Sequence, residues 1–315
     1  MTTPAPAPPV IGPAAINAVI PRTNVTYVDP EYNRLSTIRI AGQRLTADVA
    51  SAIVGATMSF STSQIGQVTL TLADTGDAAL VKSGIFAKGT TIDWGNQHLD
   101  LRGIDYSPGP GGPQLTLKAR SRAVSVLKGA GHIGRGAWGE QDVARWVRDR
   151  CHEAGAYSRV QDGLGKMLFT RQVYDTVESD WDVMQKAATA VGALCYEFEQ
   201  TIVFMRPSAL MKFPGVRQWP ISWTSYGVYT DGLSGMPSYT WSLDGEAESL
   251  SFEMLGGDAD LARPGDVVTY TGSIGEAKGT WMMSQVDLPL TGGQTVKVTC
   301  IRPTDPAPQP VTTGV

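Results

Sequence analysis

The hydrophobic period of this chain changes twice, and that change rules out most architectures before composition is considered. Between about residues 23 and 120 the apolar residues recur at every second position. In "ATMSFSTS" Met58 and Phe60 alternate with polar neighbours; in "QVTLTLAD" Val68, Leu70 and Leu72 alternate with Gln67, Thr69 and Thr71. Successive side chains of a strand point to opposite faces, so this is the pattern of half-buried strands. "TTIDWG", "HLDLRGIDYS" and "PQLTLKAR" continue it, with the turn-rich "SPGPGGP" (107–113) as a break. Short strands with turns at regular intervals predict a small sandwich or barrel.

Between about 121 and 208 the period lengthens to that of a helix. "WGEQDVARWVRDRCHEAG" sets Val143, Trp146, Val147, Arg150 and Cys151 at helical spacing, begins its helix near Glu140, and offers Gly155 as a stop. "ESDWDVMQKAATAVGALCYEFEQTIVFMRP" (178–207) predicts a capped helix and a hairpin. Ser179 is the expected N-cap, with Asp182 reaching back as in a capping box. Asp180 and Asp182 also suit the positive end of the helix dipole. Val183, Met184, Ala187, Ala188 and Val191 form the apolar face, and Gly192 ends it. The strand that follows alternates Leu194, Tyr196 and Phe198, turns near Gln200, and returns through "TIVFMRP". With Trp181, that alternating face is expected to anchor the hairpin to the helix. Period two comes back between about 209 and 303, in "ISWTSYGVYTDG", "PSYTWSLDG", "ESLSFEML", "DVVTYTG", "TWMMSQVDLPL" and "TVKVTCIRP". The expected class is therefore mainly β with an α/β insertion. A proline-rich arm (1–22) precedes these regions and a flexible tail (304–315) follows them.

Charge and cysteine usage narrow the function classes. Lys and Arg number 26 against 30 Asp and Glu, a net −4 spread along the chain with no basic block. Tight nucleic-acid binding as the main activity is not expected of such a chain. Cys151, Cys195 and Cys300 are far apart and form no CxxC, which points to buried free thiols rather than a disulfide framework or zinc ribbon. The N-terminal stretch lacks a positive n-region and is broken by prolines, and no window approaches a membrane span.

Residues with chemical potential are few. "GAGHIGRG" holds GxGxxG at Gly129, Gly131 and Gly134, after a strand-like "AVSVLK". No helix follows at once, and no repeated parallel βαβ pattern surrounds it, so a flexible loop is the better reading. His98, His132 and His152 form no HExxH, and Cys151 beside His152 makes no dyad because helical neighbours diverge by about 100°. Carboxylate pairs could in principle hydrolyse glycans: Asp180 with Asp182, Glu197 with Glu199, Glu246 with Glu248. The first pair is accounted for by capping, and the other two have strand spacing that puts both acids on one solvated face. Trp219, Trp223, Tyr226, Tyr229, Tyr239 and Trp241 suggest a core or interface, or, if exposed, a sugar-stacking platform. No catalytic, cofactor-binding or metal-ligating residue is assigned, and no cofactor is expected.

The order of pieces resembles the baseplate or tail-tip hub proteins of tailed bacteriophages, the family of late-control D proteins and type VI spike hubs. The resemblance spans about 50–303. It rests on "MSFSTSQIGQVTLTLAD", the "ESDWDVMQ…FMRP" module, and "RPGDVVTYTGSIGEAKGTWMMSQVDLPLTGGQTVKVTCIRP" with its "PGD" at 264–266. It implies two small tube-forming β-barrel-like domains (23–120 and 209–303) flanking a helix-plus-hairpin middle domain (121–208). It further implies a non-enzymatic homotrimer with pseudo-six-fold symmetry in a virion tail tip, assembled in the host cytoplasm. The implied neighbours are a distal tail protein or tail tube ring above and a tip fibre or spike protein below. Tape-measure protein and DNA would pass in transit, and penetration and receptor binding would belong to other proteins. The arm at 1–22 is outside the family pattern. A carbohydrate-binding or peptidoglycan-cleaving tail protein, and a distal-tail adaptor ring, stand as alternatives.

Overall fold

The computed structural model describes residues 34–305 apart from 46, 75–78, 83–85, 110–111, 130–138, 170–177, 224–229, 231, 242–247, 256 and 292–293. The arm at 1–22, most of the tail, His132, Gly131, Gly134, Tyr226, Tyr229 and Glu246 lie outside the described residues.

The first β region contributes β1 (Ile38–Ile40), β2 (Gln43–Arg44), β3 (Ile53–Ser61), β4 (Gln67–Ala73), β5 (Thr91–Trp94), β6 (Gln97–Gly109) and β7 (Gly112–Ser121). Short helices α1 (Ala47–Ala52) and α2 (Ala79–Lys82) sit among them. The last region contributes β13 (Gln218–Ile221), β14 (Ser238–Thr240), β15 (Ser249–Met254), β16 (Val267–Tyr270), β17 (Gly279–Pro289) and β18 (Val296–Ile301). All of these strands join one 13-stranded sheet, in the order β14-β15-β18-β17-β3-β4-β7-β6-β5-β1-β2 with β13 and β16 branching from β17. The chain is mainly β, and the sheet curls into a half-barrel.

The long strand β17 makes this continuity possible. It pairs with β16 through Gly279–Met282, with β18 through Met282–Asp287, and with β3 through Gln285–Pro289. A register shift between Met283 and Gln285 falls at the handover, where a bulge sharpens the twist and re-aims the strand. One apolar cluster follows the sheet from Met58, Leu70 and Leu117 in the first region to Val286, Val298 and Cys300 in the last. The alternation read in β3 and β4 is met in full: Met58, Phe60, Val68, Leu70 and Leu72 are all buried. The break expected over 107–113 is narrower than expected, since β6 runs to Gly109 and β7 starts at Gly112, with Pro108 opposite Pro113.

The insertion comprises α3 (Arg122–Leu127), β8 (Gly139–Asp142), α4 (Val143–Glu153), β9 (Tyr157–Val160), β10 (Lys166–Phe169), α5 (Asp180–Val191), β11 (Leu194–Phe198), β12 (Thr201–Met205) and α6 (Pro207–Leu210). Two expectations fail here. "AVSVLK" lies in helix α3, because burying Ala123, Val124 and Leu127 together against the insertion's core outweighs the weak strand preference of two valines. The next helix starts at Val143 rather than near Glu140. Residues Gly139–Asp142 are a strand paired to β10, and the Asp142 side chain accepts from Arg145 N as the helix cap.

Helix α5 is built as its sequence predicts. Ser179 Oγ accepts from Asp182 N at 3.3 Å, Asp182 Oδ2 accepts from Ser179 N at 3.3 Å, and Gly192 closes the helix at φ 67°. Partial burial works against the Asp182 charge. Hydrogen bonds from Ser179 and the Lys128 ammonium nonetheless hold its carboxyl below the usual carboxylate range. Strands β9, β12 and β11 form a mixed sheet under α4 and α5, with β9 parallel to β12.

Candidate functional site

The hairpin β11–β12 is buried on both faces, which a single alternating face does not predict. Cys195, Ile202 and Phe204 pack under the helices with Trp146, Trp181 and Met184. Tyr196, Val203 and Met205 face the other way, onto Leu210 of α6 and Met282 of β17. Tyr196 therefore anchors the hairpin to the large sheet, not to α5 as the alternation suggested. Trp181 is buried where it was expected.

The hairpin tip is tied to β6. Glu199 and Gln200 form its turn with positive φ of 47° and 62°, a twist that suits two-residue hairpins. Gln97, fully buried, donates from Nε2 to both Glu197 oxygens at 3.1 and 3.3 Å and accepts from Glu199 N at 2.7 Å. Gln200 N donates to Glu197 Oε1 at 2.7 Å, and Gln200 Nε2 donates to His98 O at 2.9 Å. The solvated Glu197–Glu199 pair expected from spacing is thus not formed. Glu197 is enclosed, and burial pushes its carboxyl up to about 7. Glu199 lies beyond the strand and bridges Arg263 at 3.2 Å.

"PGD" is the matching clamp on the other side. Tyr196 Oη donates to Pro264 O at 3.1 Å, and Gly265 sits at φ +89°, where an added Cβ would lie 2.6 Å from that same hydroxyl. Asp266 accepts from Arg263 N and Arg217 N, each at 3.1 Å, and from Trp219 Nε1 at 2.9 Å. Burial raises the Asp266 carboxyl despite these donors.

Between tip and clamp lies a cleft of about 840 Å³. Its floor is the outer half of the three-stranded sheet, where register places Tyr157 beside Thr201 and Arg159 beside Val203. The segment Leu210–Arg217 forms one wall, His98 and Arg122 another, and Arg263–Asp266 the back. Arg159 lies over the Phe213 ring at 5.3 Å and Arg263 over Phe198 at 4.8 Å. No local pattern marks this cleft in the sequence; His98, Tyr196, Phe198, Glu199, Gln200 and the "PGD" residues drew notice separately and for other reasons.

Other expected positions are structural or scattered. Arg302 Nε donates to Glu248 at 2.9 Å and its guanidinium lies 3.9 Å from the Trp281 ring centroid. Tyr239 meets Trp281 edge-on at 6.1 Å, while Trp241 is exposed. The three thiols are free and buried, and burial pushes all of them up, Cys151 to about 12. His98 bonds Asp93 at 2.7 Å. Among the described residues no three His, Cys, Asp or Glu side chains are gathered as a metal ion requires, and no helix is long and apolar enough to cross a membrane.

No family model matches the chain, and no curated protein matches its sequence. Solved structures do match in fold. A 43 kDa tail protein of prophage MuSo2 from Shewanella oneidensis superposes with a TM-score of 0.60 at 12% identity, over 84% of this chain and 96% of that one. A tail protein from Neisseria meningitidis gives 0.62 at 9% identity, over 87% and 98%. An E. coli type VI secretion component, described as similar to the T4 tail proteins gp27 and gp5, gives 0.57 at 12% identity, over 85% and 76%. The fold is that of phage tail and tail-like secretion proteins.

Proposed function

We propose that this chain is a structural component of a phage-type tail, acting as the tail-tip or baseplate hub. The observation that carries the reading is the end-to-end likeness of fold to two tail proteins, covering 96% and 98% of their lengths. A continuous sheet from two β regions gives each chain two wall segments. Three chains would then supply six, matching a six-fold distal-tail or tube ring above and a three-fold fibre or spike below. The tape-measure protein and then DNA would pass through the ring. The net charge of −4 suits a conduit that does not retain phosphate.

The role is non-enzymatic. Each carboxylate pair weighed as a catalyst has at least one member engaged in structure: Asp182 in a cap, Glu197 in a tether, Glu248 with Arg302. Native mass spectrometry of the full chain, with electron microscopy of the assembled particle, tests the reading. Three copies in one ring are expected, held by interfaces of about 2,000 Å² or more. Six identical copies would assign the chain to the adaptor ring, and a monomer absent from any ring would overturn the proposal.

A further inference from the structure

We propose that the cleft floored by β9 and β12 docks an acidic, extended segment of a partner protein, held by Arg159 and Arg217. The inference rests on the chemistry of the cleft and does not depend on the tail-tip reading.

The chain carries a net −4, yet this cleft is lined by Arg122, Arg159, Arg217 and Arg263 against Glu199 and Asp266. Both carboxylates are already committed. Glu199 bridges Arg263, and Asp266 takes two backbone N–H donors and the Trp219 indole. Arg122 is bonded to Asp100 at 3.0 Å. Among the described residues Arg159 bridges no carboxylate, and Arg217 bridges none within 4 Å, its charge reaching Asp266 only at longer range. Both are nevertheless held in place: Arg159 over the Phe213 ring at 5.3 Å, and Arg217 through NH1 to Leu261 O at 3.3 Å. A guanidinium oriented this way loses less freedom on meeting a carboxylate, which it can grip at two points.

The surroundings suit a peptide. Tyr157, 75% exposed, stands on the same face as Arg159, and Tyr and Arg are the residue types that dominate interface energetics. Among the described residues β9 pairs only with β12, and its Tyr157, Ser158 and Arg159 are exposed, so an extended chain can run alongside it. A nucleic acid fits less well. Its unbroken line of phosphates would be set against Glu199 and Asp266, whereas a peptide can place separate carboxylates on the two arginines that bridge none.

Fluorescence anisotropy of the full chain with labelled hexaglutamate, hexalysine and hexathymidylate tests this at low ionic strength. Hexaglutamate should bind, with salt weakening it, and hexalysine should not. Arg159→Ala and Arg217→Ala should each weaken hexaglutamate binding by about tenfold. Tyr157→Ala should weaken it without altering charge, and Arg159→Lys should restore only part of the loss. All three side chains are exposed, and unchanged unfolding midpoints would confirm that the variants fold. Absence of hexaglutamate binding, or binding indifferent to both arginine substitutions, would overturn the proposal. Tighter capture of hexathymidylate through the same arginines would overturn it in favour of a nucleic-acid surface.

Discussion

Replacing Glu197 with Gln should make the protein more stable, but only above mildly acidic pH. Glu197 is fully buried at the hairpin tip, and burial raises its carboxyl from an ordinary 4.5 to about 7. Below pH 4.5 the group is protonated whether the chain is folded or not, and it contributes no pH dependence. Between 4.5 and 7 the folded state holds the proton more tightly than the unfolded state, so stability falls as pH rises. Above 7 the loss is complete and amounts to about 3 kcal/mol. A glutamine keeps an oxygen to accept from Gln200 N, now without a buried charge. Urea unfolding of both proteins, followed by tryptophan fluorescence at pH 5, 6, 7 and 8, gives the difference directly. Other acids, Asp182 among them, titrate alike in both proteins and cancel. Glu197→Gln should exceed wild type by less than about 1 kcal/mol at pH 5 and by up to about 3 kcal/mol at pH 8. A difference independent of pH, or a variant less stable at pH 8, would refute the reasoning.

Three further outcomes are expected. Trp181→Ala removes a 3% exposed side chain from the core under α5 and should destabilise by about 3–5 kcal/mol, read from the urea midpoint. Gly265→Ala should lower stability by about 2–4 kcal/mol, since its φ is +89° and the new Cβ would meet Tyr196 Oη and Leu210 Cδ2 at 2.6 and 2.9 Å. Gly155→Ala is its control, at φ +67° with nothing within 4 Å, and should cost only about 1 kcal/mol. Ellman's reagent at pH 8 should find none of the three buried thiols until urea is added, because burial raises all of them far above that pH. Reaction of the native protein would show that one is accessible.

Much of the fold is legible where the physics is local. The alternation in β3 and β4, the Ser179–Asp182 box and the stop at Gly192 are set by residues within four positions of one another. Structure departs from expectation where a distant surface intervenes. "AVSVLK" lies in a helix because α4 and α5, remote in sequence, offer a core for Ala123, Val124 and Leu127. Glu197 reads as a solvated strand residue because nothing nearby announces Gln97, one hundred positions upstream. The cleft is the extreme case. Arg159, Arg217 and Arg263 come from the insertion, the linker after α6 and the last β region, so no window of the sequence contains the site.

The tether at the hairpin tip has a consequence for how the insertion sits on the sheet. The apolar contact made by Tyr196, Val203, Met205, Leu210 and Met282 is small, and apolar contact alone tolerates sliding. The polar groups do not. Gln97 satisfies Glu197 and Glu199 N together, while Gln200 reaches His98 O and Tyr196 reaches Pro264 O. A slip of one strand pair would strand Gln97 and Glu197 in the interior, at about 1–3 kcal/mol for each unsatisfied group. Glu197 thus lowers stability at neutral pH while fixing one alignment of the insertion. That alignment is what brings Arg159 on β9 into one cleft with Arg217 and Arg263. The same trade explains why a residue that destabilises the fold can still serve it: the cleft exists only in the register that Gln97 and Glu197 select.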